Sequence, residues 1–582
     1  MQTAKELAEK PYVENIVDKI IDKMVRNSDS VCRTIASAAA FIICPRIPAS
    51  DREETGPQQG MTMFFKSTLL AGVAIACLAT AGSAQTLRWG AARDINSLDP
   101  YSYGSTFTIS FLNHVYEGLV RYNADLQIEP ALATEWEVLP NNIWRFKLRQ
   151  GVKFHDGADF TADDVVSSLA RVSHPDSPLK GNLPAYKSAT KVDDYTVDIE
   201  LVGTYPLLLN DLTNIHMFDA GWLKDHNAEL PTDVAKKVEG YPTFNANGTG
   251  PFIVESRVPD SKTVLVVNEN WWDTPKHNLK RIEFTPIASD ATRVAALLSG
   301  EIDFTEKAPV QDLPRLAATP SVKVMEANEL RTIMFGFNFH DKLANGQPNF
   351  FQHKEMREAV ALAIDLNLIR DKVMRGKSRV TGTVVAPAIP GYDAALDTPT
   401  AYDPDKAAAM IKELGAEGFA FEIVCANDVW LNEEEICNAM VSMLTRVGLA
   451  PTLSIGPNAV QQIKQTNGEA DMFSFGWANE PMLDAYSILL QVFQTKSDKA
   501  GVFNWGGWSY PELDKLIIAA STELDRTKRL ALESQALKIV KDESIMLPFH
   551  QQPMAWATSD KVESLVQLSD NKGRHWLTRM TE

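Results

Sequence analysis

Short strand-like and helix-like stretches alternate along this chain from about residue 85 to its end, with no repeat, low-complexity block or linker between them. That interleaving constrains the fold more than any single motif, because it requires an α/β protein in which sheets and helices share layers. Ile143–Leu148 and Tyr195–Leu201 alternate as strands, and Val152–Phe154 reads as a third after a Gln-Gly turn. Thr161 caps a helix over Thr161–Arg171, with Asp163 and Asp164 favourable in its first turn. Ala291–Ser299 is a helix stopped by Gly300 and followed by a strand at Ile302–Phe304. Phe351–Arg375 reads as one long helical region, and Arg526–Asp542 as an amphipathic helix with Leu530, Leu532, Ala536, Leu537 and Val540 on its apolar side. A chain of this size without a dividing linker is expected to pass through its domains more than once.

The segment Met63–Ala84 (MFFKSTLLAGVAIACLATAGSA) has the layout of a secretion signal. Lys66 is the positive n-region, Leu69–Ala79 the apolar core, and Gly82-Ser83-Ala84 the small residues a signal peptidase needs. It is too short and too rich in Ala and Gly to stay in a bilayer as a permanent helix. Met61 and Met63 are natural starts for it, so residues 1–60 read as an over-extended N-terminus; the competing reading is a cytoplasmic tail with the segment as its anchor. Cys77 raises lipid attachment, but Ala74-Ile75-Ala76 lacks the leucine usual three places earlier, and the cysteine reads as part of the apolar core.

Cleavage after Ala84 leaves about 500 residues, enough for two or three domains with substantial cores. A hydrophobic fraction of 45% and a charged fraction of 23% are those of a globular protein. The net charge of −18 argues against nucleic acid or an anionic membrane as a general partner. Of the five cysteines only Cys425 and Cys437 follow the leader. In an exported chain the pair suggests one structural disulfide, the alternative being two buried thiols. His155, in Phe-His-Asp-Gly, has no second His or Cys at ligand spacing, and Trp271-Trp272 reads as packing beneath a loop. No H-E-x-x-H, G-x-S-x-G, phosphate loop or C-x-x-C occurs, so neither an enzyme nor a cofactor is expected.

One run of passages carries more. Ala133–Phe154 (ATEWEVLPNNIWRFKLRQGVKF), followed by His155-Asp156-Gly157, resembles the signature of family 5 extracellular solute-binding proteins, the dipeptide-, oligopeptide- and nickel-type subunits of ABC importers. Asn96–Pro100 (NSLDP), Val115–Tyr122, Thr161–Val165, Gly248–Phe252, Asn268–Asp273, Ala291–Phe304, Ala359–Asp365, Tyr510–Leu513 and Ile545–Trp556 agree with it in order, so the resemblance covers nearly the whole chain after the leader. Gln150 stands where the family usually carries a charge. At Gly476–Tyr486 (GWANEPMLDAY), peptide-binding members place an Asp three residues after the Trp, to pair with the peptide's α-amino group; here that position is Glu480, and the next carboxylate is Asp484.

The resemblance implies a two-lobed periplasmic-type binding protein, type II-like, with an additional small domain. Lobe I would combine 85–130, 240–335 and 550–582, the inserted domain 131–239, and lobe II 336–549. Crossings near Arg331–Phe339 and Leu547–Ala557 would form the hinge. The implied ligand residues are Tyr103, Ser105 and Thr106 from lobe I; Trp477 and Trp505 as flat walls; Asn479 as a hydrogen-bonding group; Glu480 or Asp484 as partner of a cation; and Arg331 as partner of a carboxylate. The expected function is a periplasmic, monomeric substrate-binding subunit that captures a peptide or peptide-like solute and delivers it to an inner-membrane ABC permease. Opines, sugar conjugates and metal complexes remain open as ligands, as does a secreted peptide receptor or chaperone-like role. A secreted hydrolase with paired carboxylates is the rival from another class. The exported protein is expected to begin close to Gln85; its intact mass checks this, and a mass that includes residues 1–60 overturns it.

Overall fold

The computed structural model describes residues 85–582, apart from 481, 498, 499 and 582. The expected leader, residues 1–60 and Cys77 lie outside the described residues. Among the described residues no helix is long and apolar enough to cross a membrane.

An eleven-stranded mixed sheet runs through both lobes. From one edge its strands are Ala450–Gly456, Ala420–Ala426, Met472–Trp477, Val322–Phe337, Met546–Ser559, Phe304–Thr305, Thr86–Ala91, Arg281–Pro286, Lys262–Val267 and Phe252–Val258, with Arg379–Val380 added to Met546–Ser559. Among the described residues, only Val322–Phe337 and Met546–Ser559 take part in both halves. They pair antiparallel from Val322↔Ser559 to Gly336↔Met546, and the register breaks between Asn328 and Thr332. On one side of that break Phe304 and Thr305 pair with Thr558 and Ala557; on the other, Thr332–Phe337 pairs with Met472–Trp477. Chain passes and sheet halves thus interlock as the absence of a linker requires.

A separate four-stranded antiparallel sheet, Ala133–Leu139, Ile143–Leu148, Thr196–Leu201 and Tyr186–Asp193, carries the helix Ala162–Val172. Thr161 caps that helix, its amide donating to Asp164 Oδ2 at 2.7 Å. Arg171, in the last turn, reaches back into the main body and makes a two-pronged ion pair with Asp99 of the NSLDP stretch, at 2.9 and 2.6 Å, with both side chains buried. Asp99 Oδ1 also accepts from the Tyr101 amide, so this pair fixes the turn that leads to Gly104–Thr106. Gly248 and Gly250 allow another close approach: a Cβ on Gly248 would sit 2.0 Å from the Val115 carbonyl oxygen.

Several elements differ from expectation for local reasons. Val152–Phe154 forms only a single antiparallel bridge, Lys153 opposite Asp159 across the turn at His155–Gly157, rather than a full strand. The region 351–375 is interrupted: a helix over Lys354–Ala363 ends at an extended Ile364, and Asp365 then caps a new turn by accepting from the Leu368 amide at 2.9 Å. The strand expected at Ile302–Phe304 is Phe304–Thr305. The helix Arg526–Asp542 has its expected limits, but Arg529 and Glu533 occupy its buried face while Leu530 and Leu532 are half-buried.

Trp271 and Trp272 donate their indole N–H groups to the buried Glu117 carboxylate at 3.2 and 2.7 Å. The second lobe has its own aromatic core, in which Phe351 meets Phe337, Phe419 and Phe421 with centroids 4.9 to 5.3 Å apart. A disulfide joins Cys425, at the end of the strand Ala420–Ala426, to Cys437 in the helix Glu433–Arg446, and both residues are buried. It ties a strand to the helix that covers it. Free-thiol titration of denatured, unreduced protein is expected to find no reactive Cys425 or Cys437, and Cys437→Ser should lower unfolding stability by about 2–4 kcal/mol. Two titratable thiols in the unreduced protein would contradict both statements.

Candidate functional site

Strand pairing sets the site. Trp477 is the last residue of Met472–Trp477 and lies opposite Thr332 on the crossing strand, so its indole emerges where the two halves meet. It stacks on Phe475, with ring planes 10° apart, and meets the edge of Phe503 at 5.1 Å. Its Nε1–H donates to Ser487 Oγ at 3.2 Å, which fixes the ring's rotation. A cavity of about 480 Å3 opens beside it. One wall is Gly104, Ser105, Thr106 and Ile109; a second comes from Pro178, Leu179, Gly181 and Asn182; the rest includes Asn214, Glu480, Met482, Gln491, Phe503 and Lys572.

Glu480 is the charged feature of that wall, with its side chain only 9% exposed. Lys572 Nζ stands 3.8 Å from Glu480 Oε1, too far for a hydrogen bond, and donates instead to Asn214 Oδ1 at 3.1 Å. Glu480 Oε1 therefore has no hydrogen-bond partner among the described residues. Burial raises the carboxyl's pKa; Lys572 and Arg331 pull it down, while Asp570 and Glu329 push it further up. A buried acceptor of this kind is costly unless a donor reaches it.

The loop that carries Glu480 is held from the opposite side. Tyr122 Oη and Asn210 Nδ2 both donate to the Met482 carbonyl, at 2.9 and 2.7 Å. The loop turns through left-handed backbone at Asn479 (φ 57°) and Leu483 (φ 45°), the second an unfavourable place for a bulky residue.

The other expected site residues take different places. Tyr103 is half-buried and does not line the cavity, whereas Ser105 and Thr106 do. Trp505 is not a wall: it is buried behind Trp477, packed edge-on against Phe475 at 5.2 Å and against Phe503 at 5.9 Å. Asn479 is fully buried and serves the turn rather than the cavity. Arg331 is held away from it by Glu329 Oε1 (3.2 Å), the Gly476 carbonyl (3.4 Å) and the face of Trp430 (5.0 Å). Asp484 is removed from the site altogether. Its Oδ2 accepts from Arg529 Nη1 at 2.8 Å, the same nitrogen that reaches Glu533 at 2.8 Å, and all three side chains are buried.

Lys572, Asn214, Asn182 and Phe503 are among the cavity residues that sequence reasoning missed. Each lies outside the quoted motifs. The alternating charges of Asp570-Asn571-Lys572-Gly573-Arg574 were the one visible signal.

The model of bacterial extracellular solute-binding proteins, family 5 Middle, matches residues 127–499. This chain belongs to that family. Among similar proteins, heme-binding protein A of Haemophilus influenzae is 28% identical over 489 residues, covering 78% of this chain and 84% of that protein. Glutathione-binding protein GsiB of Salmonella paratyphi A is 25% identical over 502 residues, covering 84% and 94%. Among solved structures, the periplasmic binding protein DppA from Helicobacter pylori, in complex with the peptide STSA, shares the fold with a TM-score of 0.71 at 22% identity, over 86% of this chain and 99% of that one. Family 5 proteins are solute-binding proteins.

The Asp484–Arg529–Glu533 cluster makes a separate prediction. Burial, with Asp484 beside it, pushes the Glu533 carboxyl up to about 9. Folded protein therefore holds a proton on Glu533 that unfolded chain releases above its ordinary carboxyl range, so this group's contribution is complete at low pH and is lost as pH rises toward about 9. Melting temperature should fall from pH 5 to pH 9, and Glu533→Gln should flatten that fall. An identical pH slope in the variant would show that the pair is already ionised.

Proposed function

We propose that the 480 Å3 cavity captures a peptide-like solute bearing a cationic amine and that the protein, as a periplasmic monomer, delivers it to an inner-membrane ABC permease. The observation that carries this reading is the buried Glu480 carboxylate, whose Oε1 lacks a donor, beside the flat face of Trp477. A protonated amine there would supply both charge and hydrogen bond, and such a pair in a desolvated wall is strong. Capture by closure needs solute contacts from both sides. Ser105, Thr106 and Asn214 would provide them on one side, and Trp477, Glu480 and Phe503 on the other. The proposed division is lobe I at 85–130, 240–335 and 550–582, a small domain at 131–239 and lobe II at 336–549. The register break at Asn328–Thr332 supports a hinge in the crossing strands. Family membership supports a binding role rather than catalysis.

Lys572 favours a second reading. Its ammonium, 3.8 Å from Glu480, already offsets much of the carboxylate's charge, so a neutral donor of an opine or sugar conjugate would also suit Glu480. Calorimetry separates the two. Trp477→Ala should weaken every member of a ligand series, because lost contact area is indifferent to charge. Glu480→Gln should penalise an amine ligand by about 2–5 kcal/mol and spare its N-acetylated analogue. Equal losses for the amine and acetylated forms would remove the amine reading and leave the neutral-donor one.

A further inference from the structure

One wall of the main cavity comes from outside the large sheet. Pro178, Leu179, Gly181 and Asn182 lie in the connection between the helix Ala162–Val172 and the strand Tyr186–Asp193, both part of the separate four-stranded layer. The buried Arg171–Asp99 pair pins that layer to the main body, and Arg171 Nε adds a bond to the Ala228 carbonyl at 3.0 Å. The pair acts on two walls at once. Asp99 holds the turn that leads to Gly104–Thr106, and Arg171 sits in the last turn of the helix that delivers residues 178–182. The two walls touch: a Cβ on Gly104 would stand 3.2 Å from Leu179 Cδ2.

Local bonds hold the connection still. The Ser177 amide donates to the His174 carbonyl at 2.9 Å, the Leu179 amide to Ser177 Oγ at 3.2 Å, and the Asn182 amide to the Leu179 carbonyl at 2.9 Å. Lys180 Nζ closes the outer side on the Pro175 carbonyl at 2.6 Å. Leu179 is buried, so packing fixes its side chain as well. A side chain locked in both ways keeps its place when a solute arrives. The Asn182 side-chain amide, by contrast, has no hydrogen-bond partner among the described residues, so the wall offers the cavity a free polar group beside an apolar one. Gly181 completes the wall with bare backbone. Its φ lies outside the left-handed region, and a Cβ added there would meet nothing within 4 Å. The space before it is empty because no side chain fills it, not because the backbone demands glycine. At this wall Leu179 takes volume from the 480 Å3 cavity and Gly181 leaves it.

We propose that residues 178–182 are the size gauge of the solute site, with Leu179 and Gly181 setting the largest solute the cavity accepts. A solute that outgrows the cavity meets a wall that the Arg171–Asp99 pair and the local bonds prevent from yielding. The inference rests on the reading of this cavity as the solute site, and its test separates the two.

Calorimetry on purified protein with alanine peptides of about two to six residues reads the gauge, because each member adds bulk and keeps the same amine. Wild-type affinity is expected to drop at least about tenfold between one peptide and the next longer one, as overfilling a packed site does. Leu179→Ala should move that drop to a longer peptide, and Gly181→Phe to a shorter one. The drop is a ratio between peptides on one protein, so a general loss of stability does not imitate it. If Leu179→Ala fails to fold, Gly181→Phe decides alone, since its first side-chain atom has open space. A wild-type series without a drop, or a drop that Gly181→Phe leaves in place, overturns the proposal. Trp477→Ala is the control for the cavity itself: if it weakens every peptide while the drop stays unmoved in the other variants, the solute site stands and the gauge does not. If no alanine peptide binds the wild-type protein, both fall.

Discussion

Everything in this molecule hangs on the pairing of Val322–Phe337 with Met546–Ser559. Among the described residues these two strands alone belong to both halves of the large sheet, so their hydrogen bonds join the halves and also define the line between them. Between Asn328 and Thr332 the ladder is interrupted, and Glu329, Leu330 and Arg331 occupy the gap. Leu330 is buried and donates its amide to Ser569, whereas Glu329 and Arg331 turn to each other and to Gln552 and Gly476. A backbone stretch released from its ladder must find partners elsewhere. Here the Leu330 amide finds its partner in the Ser569 carbonyl, in an irregular segment near the end of the chain.

Much of this could be read from the residues. Strand alternation located Ile143–Leu148, the Thr161/Asp164 pair located a helix start, and Gly300, with φ 74°, marked a helix end, because each signal acts within a few residues of itself. Ordered family passages pointed to the two-lobed fold. The interruption at Ile364 was harder to see, since Asp365 looks like any polar residue on a helix until its side chain is known to cap Leu368. The helix Arg526–Asp542 concealed its buried face for a related reason: the Arg529 charge is tolerated inside because Asp484, 45 residues earlier, pairs with it.

That long-range pairing also decides which carboxylate belongs to the candidate site. Glu480 and Asp484 share a loop and look interchangeable in sequence. Asp484 is satisfied by Arg529 and by the Tyr486 amide, while Glu480 Oε1 is left without a hydrogen bond beside a lysine from the far end of the chain. The difference lies in what the rest of the protein brings to each. No window of sequence around residue 480 contains Lys572, just as none around Trp477 shows that Trp505 stands behind it rather than beside it.

The Met482 carbonyl, held by Tyr122 and Asn210, has a consequence for timing. Because the acceptor is main chain, no side-chain replacement at position 482 deletes it, and because neither donor needs a solute, the catch acts on the empty protein as well. Two neutral hydrogen bonds contribute about 2 kcal/mol together. Under the proposed hinge at the crossing strands, that bias would let the vacant form spend part of its life shut, which would lower the cost of capture and slow escape. The burden then moves to the other end of the cycle. Under the proposed delivery, whatever accepts the solute would have to pull Tyr122 and Asn210 off that carbonyl, and the work of unloading would be set by a contact that needs no solute.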